Sequence, residues 1–147
     1  MEPASFPWKE GTFSGDTYLM VRNAIKPNVL SALCPTRRVL DLIADKWTTL
    51  VIHILAGGTH RYSDLHRAID GISQKMLTQT LRDLEGNGLV LRKVYPEVPP
   101  RTEYSLTPLG LTLTEPLNAL CAWSEDHIGE LEMAHQKYTL KHKALGA

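Results

Sequence analysis

Residues 73–106 read SQKMLTQTLRDLEGNGLVLRKVYPEVPPRTEYSL, and the fold turns on how this stretch divides. Leu77, Leu81 and Leu84 recur at spacings of four and three, so in a helix they share one face. Lys75, Gln79 and Arg82 recur in the same rhythm and fall on the opposite face, with Gln74 and Thr78 beside them. Ser73 stands where an N-cap belongs. The first turn carries Lys75 and no acid, although the helix dipole favours a carboxylate there. A helix end that meets phosphate or base acceptors would avoid one. Gly86-Asn87-Gly88 supplies a stop. Amide, hydroxyl and basic groups are the types that bond phosphates and base edges. Taken alone, such a face is also what any solvated helix shows.

The residues that follow narrow the choice. Leu89 to Tyr95 is β-branched and aromatic enough for a strand. The loop Pro96-Glu97-Val98-Pro99-Pro100 is stiffened by its prolines, which cannot continue a paired ladder. Arg101 to Leu106 predicts a second strand, with Thr102, Tyr104 and Leu106 on one side and Arg101, Glu103 and Ser105 on the other. Arg92, Lys93 and Arg101 sit at the base of this loop. Helix, tight stop and stiff basic hairpin together read as a recognition helix with a wing.

Upstream, Pro35 suits the first turn of a helix that runs to about Ala44. Trp47, Leu50, Val51 and Ile54 fit the i, i+3, i+4, i+7 template and predict a deeply buried second helix, ended by Gly57-Gly58. Thr59 to Tyr62 reads as extended. Ser63 is expected to cap a third helix to Ile69, with Leu65, Ala68 and Ile69 inward. Asp70-Gly71-Ile72 is a short turn, after which Ser73 begins the next helix, the helix-turn-helix pattern. Downstream, Thr107-Pro108 restarts a helix that Pro116 is expected to kink or interrupt. Leu113, Leu117, Leu120, Ile128 and Leu131 supply an apolar stripe, with Trp123 near it. A second copy of the chain, or a fold-back onto its own domain, would cover that stripe.

The domain plan expected is a flexible arm at 1–16, a helical domain at 17–135 and a tail at 136–147. A helix around TYLMVRNAI breaks at Lys26-Pro27. The 147 residues suffice for one core. Lys and Arg total 16, as do Asp and Glu, so nothing global demands nucleic acid. Residues 36–106 hold ten basic and eight acidic side chains, and residues 107–147 three and five. That weak asymmetry gains weight only if a dimer concentrates it on one face. The longest apolar run, Thr49 to Ala56, is too short for a bilayer. The first residues carry no signal-peptide pattern, so a cytoplasmic protein without membrane contact is expected. Six histidines show no ligand spacing, so no metal is expected. No glycine-rich phosphate loop or nucleophile elbow appears, and neither a cofactor nor an enzyme is expected.

Three stretches, CPTRRVLDLIADKW (34–47), RYSDLHRAIDGISQKMLTQTLRDLEGNGLV (61–90) and VYPEVPPRTEYSLTPLG (94–110), resemble the HxlR-type family of bacterial winged helix-turn-helix regulators, relatives of the MarR type. The resemblance covers roughly residues 34–127. It implies a mostly α (α+β) fold, with a two- to three-stranded antiparallel wing and N- and C-terminal dimerisation helices. It implies a homodimer on a pseudo-palindromic double-stranded DNA operator, with residues 73–87 in the major groove and the 95–101 wing on backbone or minor groove. The candidate DNA contacts are then Ser73, Gln74, Lys75, Thr78, Gln79 and Arg82, joined by Arg92, Lys93 and Arg101. Ala44-Asp45 stands where the family pattern has glycines, which leaves the shape of that turn open.

Cys34 precedes a helix N-terminus, with Arg37 and Arg38 close by, and both features favour the thiolate. In similar regulators a cysteine at this position often senses oxidants, quinones or aldehydes. The alternative is a small buried side chain that starts a helix. Cys121 is expected to be buried. A small-molecule effector is a second candidate signal, with no residue marking its pocket. Trp47, Tyr62 and Trp123 read as core. A winged-helix module used for protein contact, without DNA, is the alternative function.

Overall fold

The structure is a computed structural model and describes residues 28–146. The arm expected at 1–16 and the helix expected around TYLMVRNAI lie outside the described residues. The chain divides into two units, one ending at Thr114 and one beginning at Glu115.

The first unit opens with α1 (Pro35–Ala44), which starts on its proline. The chain then turns at Asp45 into α2 (Lys46–Leu55). The Asp45 carboxylate accepts the Trp47 N–H at 2.9 Å and the Thr48 N–H at 3.2 Å. These donors have no partner inside the helix, so the aspartate caps it. A side-chain cap thus shapes the turn where the family pattern has glycines.

α2 buries Thr48, Val51, Ile52 and Leu55. The inward set predicted from the sequence is Trp47, Leu50, Val51 and Ile54. Only Val51 belongs to both, and Leu50 is 40% exposed. Positions 50–52 and 54–55 are all apolar, so periodicity alone cannot select the stripe. Packing against α1, α4 and β3 selects it. Trp47 is half-buried, with the Lys46 ammonium 4.2 Å from its ring centre.

A two-residue strand β1 (His60–Arg61) leads directly into α3 (Tyr62–Ala68). Arg61, not Ser63, occupies the cap position, and no side chain caps the helix. Arg61 pairs with Glu103, so the chain passes from strand to helix with no spare residue for a serine cap. Leu65 and Ile69 point inward as expected, whereas Ala68 is exposed. Gly71 takes φ +78° in the turn, a conformation that L side chains rarely adopt.

α4 (Gln74–Gly86) begins at Ser73, whose Oγ accepts the Met76 N–H at 3.1 Å. Leu77, Leu81 and Leu84 are at most 1% exposed. At roughly 1.5–3 kcal/mol for each fully buried leucine, this face anchors the helix. Asn87 closes it, and Gly88 at φ +73° lets Leu89 N–H return to the Leu84 carbonyl at 3.0 Å.

β2 (Val90–Tyr95) and β3 (Arg101–Leu106) form the antiparallel hairpin, and β3 also pairs with β1, giving the order β1-β3-β2. Val90 and Tyr104 join the core with Leu65, Ile69, Ile72 and Leu89. α5 (Pro108–Leu111) follows, capped by the Thr107 hydroxyl. Thr107 ties α5 back to the end of α4, because its Oγ1 donates to Gly88 O at 2.6 Å and its N–H donates to Leu89 O at 3.0 Å.

The second unit is one long helix, α6, whose full span is Thr114–Leu145. Pro116 does not interrupt it. The proline falls in the first turn, where its missing N–H has no intrahelical partner to lose. The interruption comes earlier, at Thr112 and Leu113 between α5 and α6. The helix continues across residue 135, where the sequence reading places the start of a tail.

Candidate nucleic-acid interface

The exposed side of α4 presents Ser73, Gln74, Lys75, Gln79 and Arg82, with Thr78 half-buried among them. Their availability differs. Ser73 spends its oxygen on the cap and keeps its hydroxyl proton for an outside acceptor. The Gln79 amide donates to Asp83 Oδ1 at 2.9 Å, so one of its donors is engaged within the helix. Lys75 and Arg82 carry no ion pair among the described residues.

The hairpin register decides where the wing's cations go. Arg92 lies opposite Tyr104, and Lys93 opposite Glu103. Successive residues of a strand face opposite ways, so these neighbours part company. Arg92 shares a face with Val90 and Tyr104, toward α4. There it lines a cleft of about 190 Å³ with Thr78, Leu81, Arg82, Glu85 and Tyr104. This cleft brings Thr78, Arg82 and Arg92 of the predicted set together.

Lys93 belongs to the other face, with Tyr95, Arg101 and Glu103. Arg101 is met from within the wing. Its guanidinium stacks on Tyr95, its cross-strand partner, at 4.1 Å. One terminal nitrogen lies 3.3 Å from Glu97 Oε1, and Nε lies 3.3 Å from Glu103 Oε1 without hydrogen-bond geometry. Its side chain is only 26% exposed. The loop is therefore braced by an arginine that the sequence reading places on DNA. Lys93 remains exposed beside the same ring, 4.8 Å from its centre.

Sequence reasoning misses Tyr62, which it assigns to the core. It is half-buried, and its hydroxyl reaches the first turns of α4: 3.0 Å to the Gln74 carbonyl and 2.9 Å to Thr78 Oγ1. These partners lie across the helix-turn-helix turn, out of reach of any local pattern.

Cys34 is the N-terminal flanking residue of α1 and is half-buried. The Thr36 hydroxyl draws its thiol below the ordinary value, followed by the Asn28 N–H, which donates to Sγ at 3.3 Å. The backbone N–H groups of Thr36 and Arg37 add to this without closing a capping hydrogen bond. The lowered thiol agrees with the sequence reading, but the cause is hydrogen bonding and the helix start, not the charges of Arg37 and Arg38. Cys121 is also half-buried. Among the described residues, no group of three or more His, Cys, Asp or Glu could hold a metal ion, and no helix is long and apolar enough to cross a membrane.

Comparison with known proteins agrees with this geometry. The HxlR-like helix-turn-helix family profile matches residues 42–132. The HTH-type transcriptional regulator YtfH of Escherichia coli (strain K12) is 46% identical over 104 residues, which is 71% of this chain and 82% of that protein. The structure of the transcriptional regulator ytfH from Salmonella typhimurium superposes with a TM-score of 0.72 at 40% identity, covering 76% of this chain and 99% of that one. The redox regulator HypR in its reduced form superposes at 0.63 with 38% identity, covering 67% and 98%.

Proposed function

Since the chain belongs to the HxlR-like helix-turn-helix family of transcription regulators, we propose that it acts in the cytoplasm as a homodimer on a pseudo-palindromic operator. α4 enters the major groove, where Gln74, Lys75, Thr78, Gln79 and Arg82 meet bases and phosphates and the Ser73 hydroxyl donates to the backbone. Arg92 and Lys93 contact flanking phosphates, and Arg101 holds the wing in shape. The observation that carries this reading is the exposed, acid-free start of α4 set beside a basic hairpin.

A second copy would cover the apolar side of α6, where Leu120, Trp123, Ile128 and Leu131 are each about half exposed. An oxidant or electrophile acting at Cys34 is the proposed signal, supported by its lowered thiol and by the likeness to a redox regulator. A small ligand is the alternative signal.

The test is binding of the purified chain to its own promoter DNA at two salt concentrations, with and without diamide. Removing a cation that neutralises one phosphate should flatten the slope of log K against log salt by about 0.9. The double substitution Lys75→Ala with Arg82→Ala should therefore remove about 1.8 per protomer. An unchanged slope would take these two residues off the DNA. Release by diamide in the wild type, but not in Cys34→Ser, would establish the signal.

A further inference from the structure

The two hydrogen bonds of Tyr62 fix the proton of Thr78. A tyrosine hydroxyl has one proton and a carbonyl has none. The 3.0 Å bond to the Gln74 carbonyl therefore uses the tyrosine proton. The 2.9 Å bond to Thr78 then uses the threonine proton, donated to the tyrosine oxygen. Gln74 is also the residue four before Thr78, the position whose carbonyl a helical threonine ordinarily takes for itself. Tyr62 occupies that acceptor and offers its own oxygen in exchange. Thr78 is left with its two lone pairs and a methyl group, and nothing to donate.

We propose that Tyr62, from α3, sets the base preference of the recognition helix by making Thr78 an acceptor-only reader. This rests on the DNA-binding reading above. In the major groove, a guanine edge offers two acceptors, whereas adenine and cytosine each offer an amino donor and thymine a methyl. An acceptor-only threonine, which still carries a methyl, disfavours guanine and tolerates the other three. The selecting residue touches no base; its hydroxyl acts through its neighbour.

The experiment is selection of binding sequences from a random duplex library with the full chain, followed by sequencing. It compares wild type, Tyr62→Phe, Thr78→Val and the double variant. Phenylalanine keeps the ring and removes only the hydroxyl. The freed Thr78 proton then divides between the vacated Gln74 carbonyl, which the Thr78 backbone N–H already satisfies in the helix, and a base acceptor. Guanine at one position of each half-site should gain roughly two- to tenfold in Tyr62→Phe, the range of one net hydrogen bond. The gain should vanish in the double variant, which has no hydroxyl to free. Thr78→Val alone should lose the preference for amino-bearing bases at that position and leave the rest of the profile intact. A Tyr62→Phe profile that superposes on wild type overturns the proposal. So does a guanine gain that persists without the Thr78 hydroxyl. A wild type that enriches no sequence overturns the DNA reading itself, an outcome distinct from two identical profiles.

Discussion

The join between hairpin and α5 offers a sharp test of the packing. A Cβ added at Gly110 would lie 2.1 Å from the Leu89 carbonyl oxygen, 3.1 Å from its carbon and 3.2 Å from Leu106 Cδ2. Carbon and oxygen settle at about 3.3 Å in ordinary contact, so roughly 1 Å must open between two backbones. The Leu89 carbonyl cannot simply retreat, because it accepts the Thr107 N–H at 3.0 Å. Moving α5 instead pulls on the Thr107 hydroxyl, which donates to Gly88 O. Overpacking against backbone costs about 3 kcal/mol, and giving up a net hydrogen bond about 1. Alanine recovers about 1 kcal/mol of helix propensity. Gly110→Ala should therefore lose about 3 kcal/mol, a drop in Tm of roughly 12–24 °C for a unit of this size. Thermal unfolding by circular dichroism and calorimetry reads it. Gly129→Ala is the control, since a Cβ there meets nothing within 4 Å and the site is exposed mid-helix. It should be neutral or gain up to about 1 kcal/mol. A Gly110→Ala melt within about 3 °C of wild type would refute the close approach.

Further outcomes follow from the same geometry. Asp45→Ala removes both capping bonds of α2 and should cost about 1 kcal/mol, lowering Tm by roughly 4–8 °C, whereas Asp45→Asn should recover most of it. Arg101→Ala should change the salt slope of DNA binding by less than about 0.5, because Glu97, Glu103 and Tyr95 already engage the guanidinium. Glu97→Gln with Glu103→Gln frees that charge and should steepen the slope by up to about 0.9 per protomer. Thr36→Val removes the largest influence on the Cys34 thiol. In a Cys121→Ser background its alkylation profile with iodoacetamide should shift to higher pH, so the rate at a fixed pH below the plateau falls. A profile that stays in place would separate Thr36 from the thiolate.

How much of this is legible in the sequence follows from the range of each interaction. α4 can be read whole, because its leucine spacing, its serine cap and its glycine stop are all local. The hairpin can be read for the same reason. The face of α2 cannot, because a run of apolar residues offers several stripes and only packing against α1, α4 and β3 chooses among them. Arg92 and Lys93 look alike as adjacent cations, and only the register with β3 sends them to opposite faces. Tyr62 looks like core because its partners lie 12 and 16 residues away. Gly110 is one residue of a short motif, and its requirement comes from Leu89 across the join.

Charge shows the same limit with a measurable consequence. Counting along the chain gives residues 36–106 ten basic and eight acidic side chains, a net charge of only +2, which argues against a strong electrostatic footprint. Geometry redistributes the count. Arg101 and Arg67 are paired with carboxylates, which takes them out of the count of unpaired cations. Lys75, Arg82, Arg92 and Lys93 remain exposed on α4 and the hairpin. A dimer would present these four cations twice. At about 0.9 per phosphate contact, operator binding should show a log K against log salt slope near about −7. That is a strong salt dependence for a chain with no net charge. A slope shallower than about −3 would mean that base contacts and shape carry the binding and that the wing cations stay in solvent. A slope steeper than about −10 would mean that further cations share the DNA.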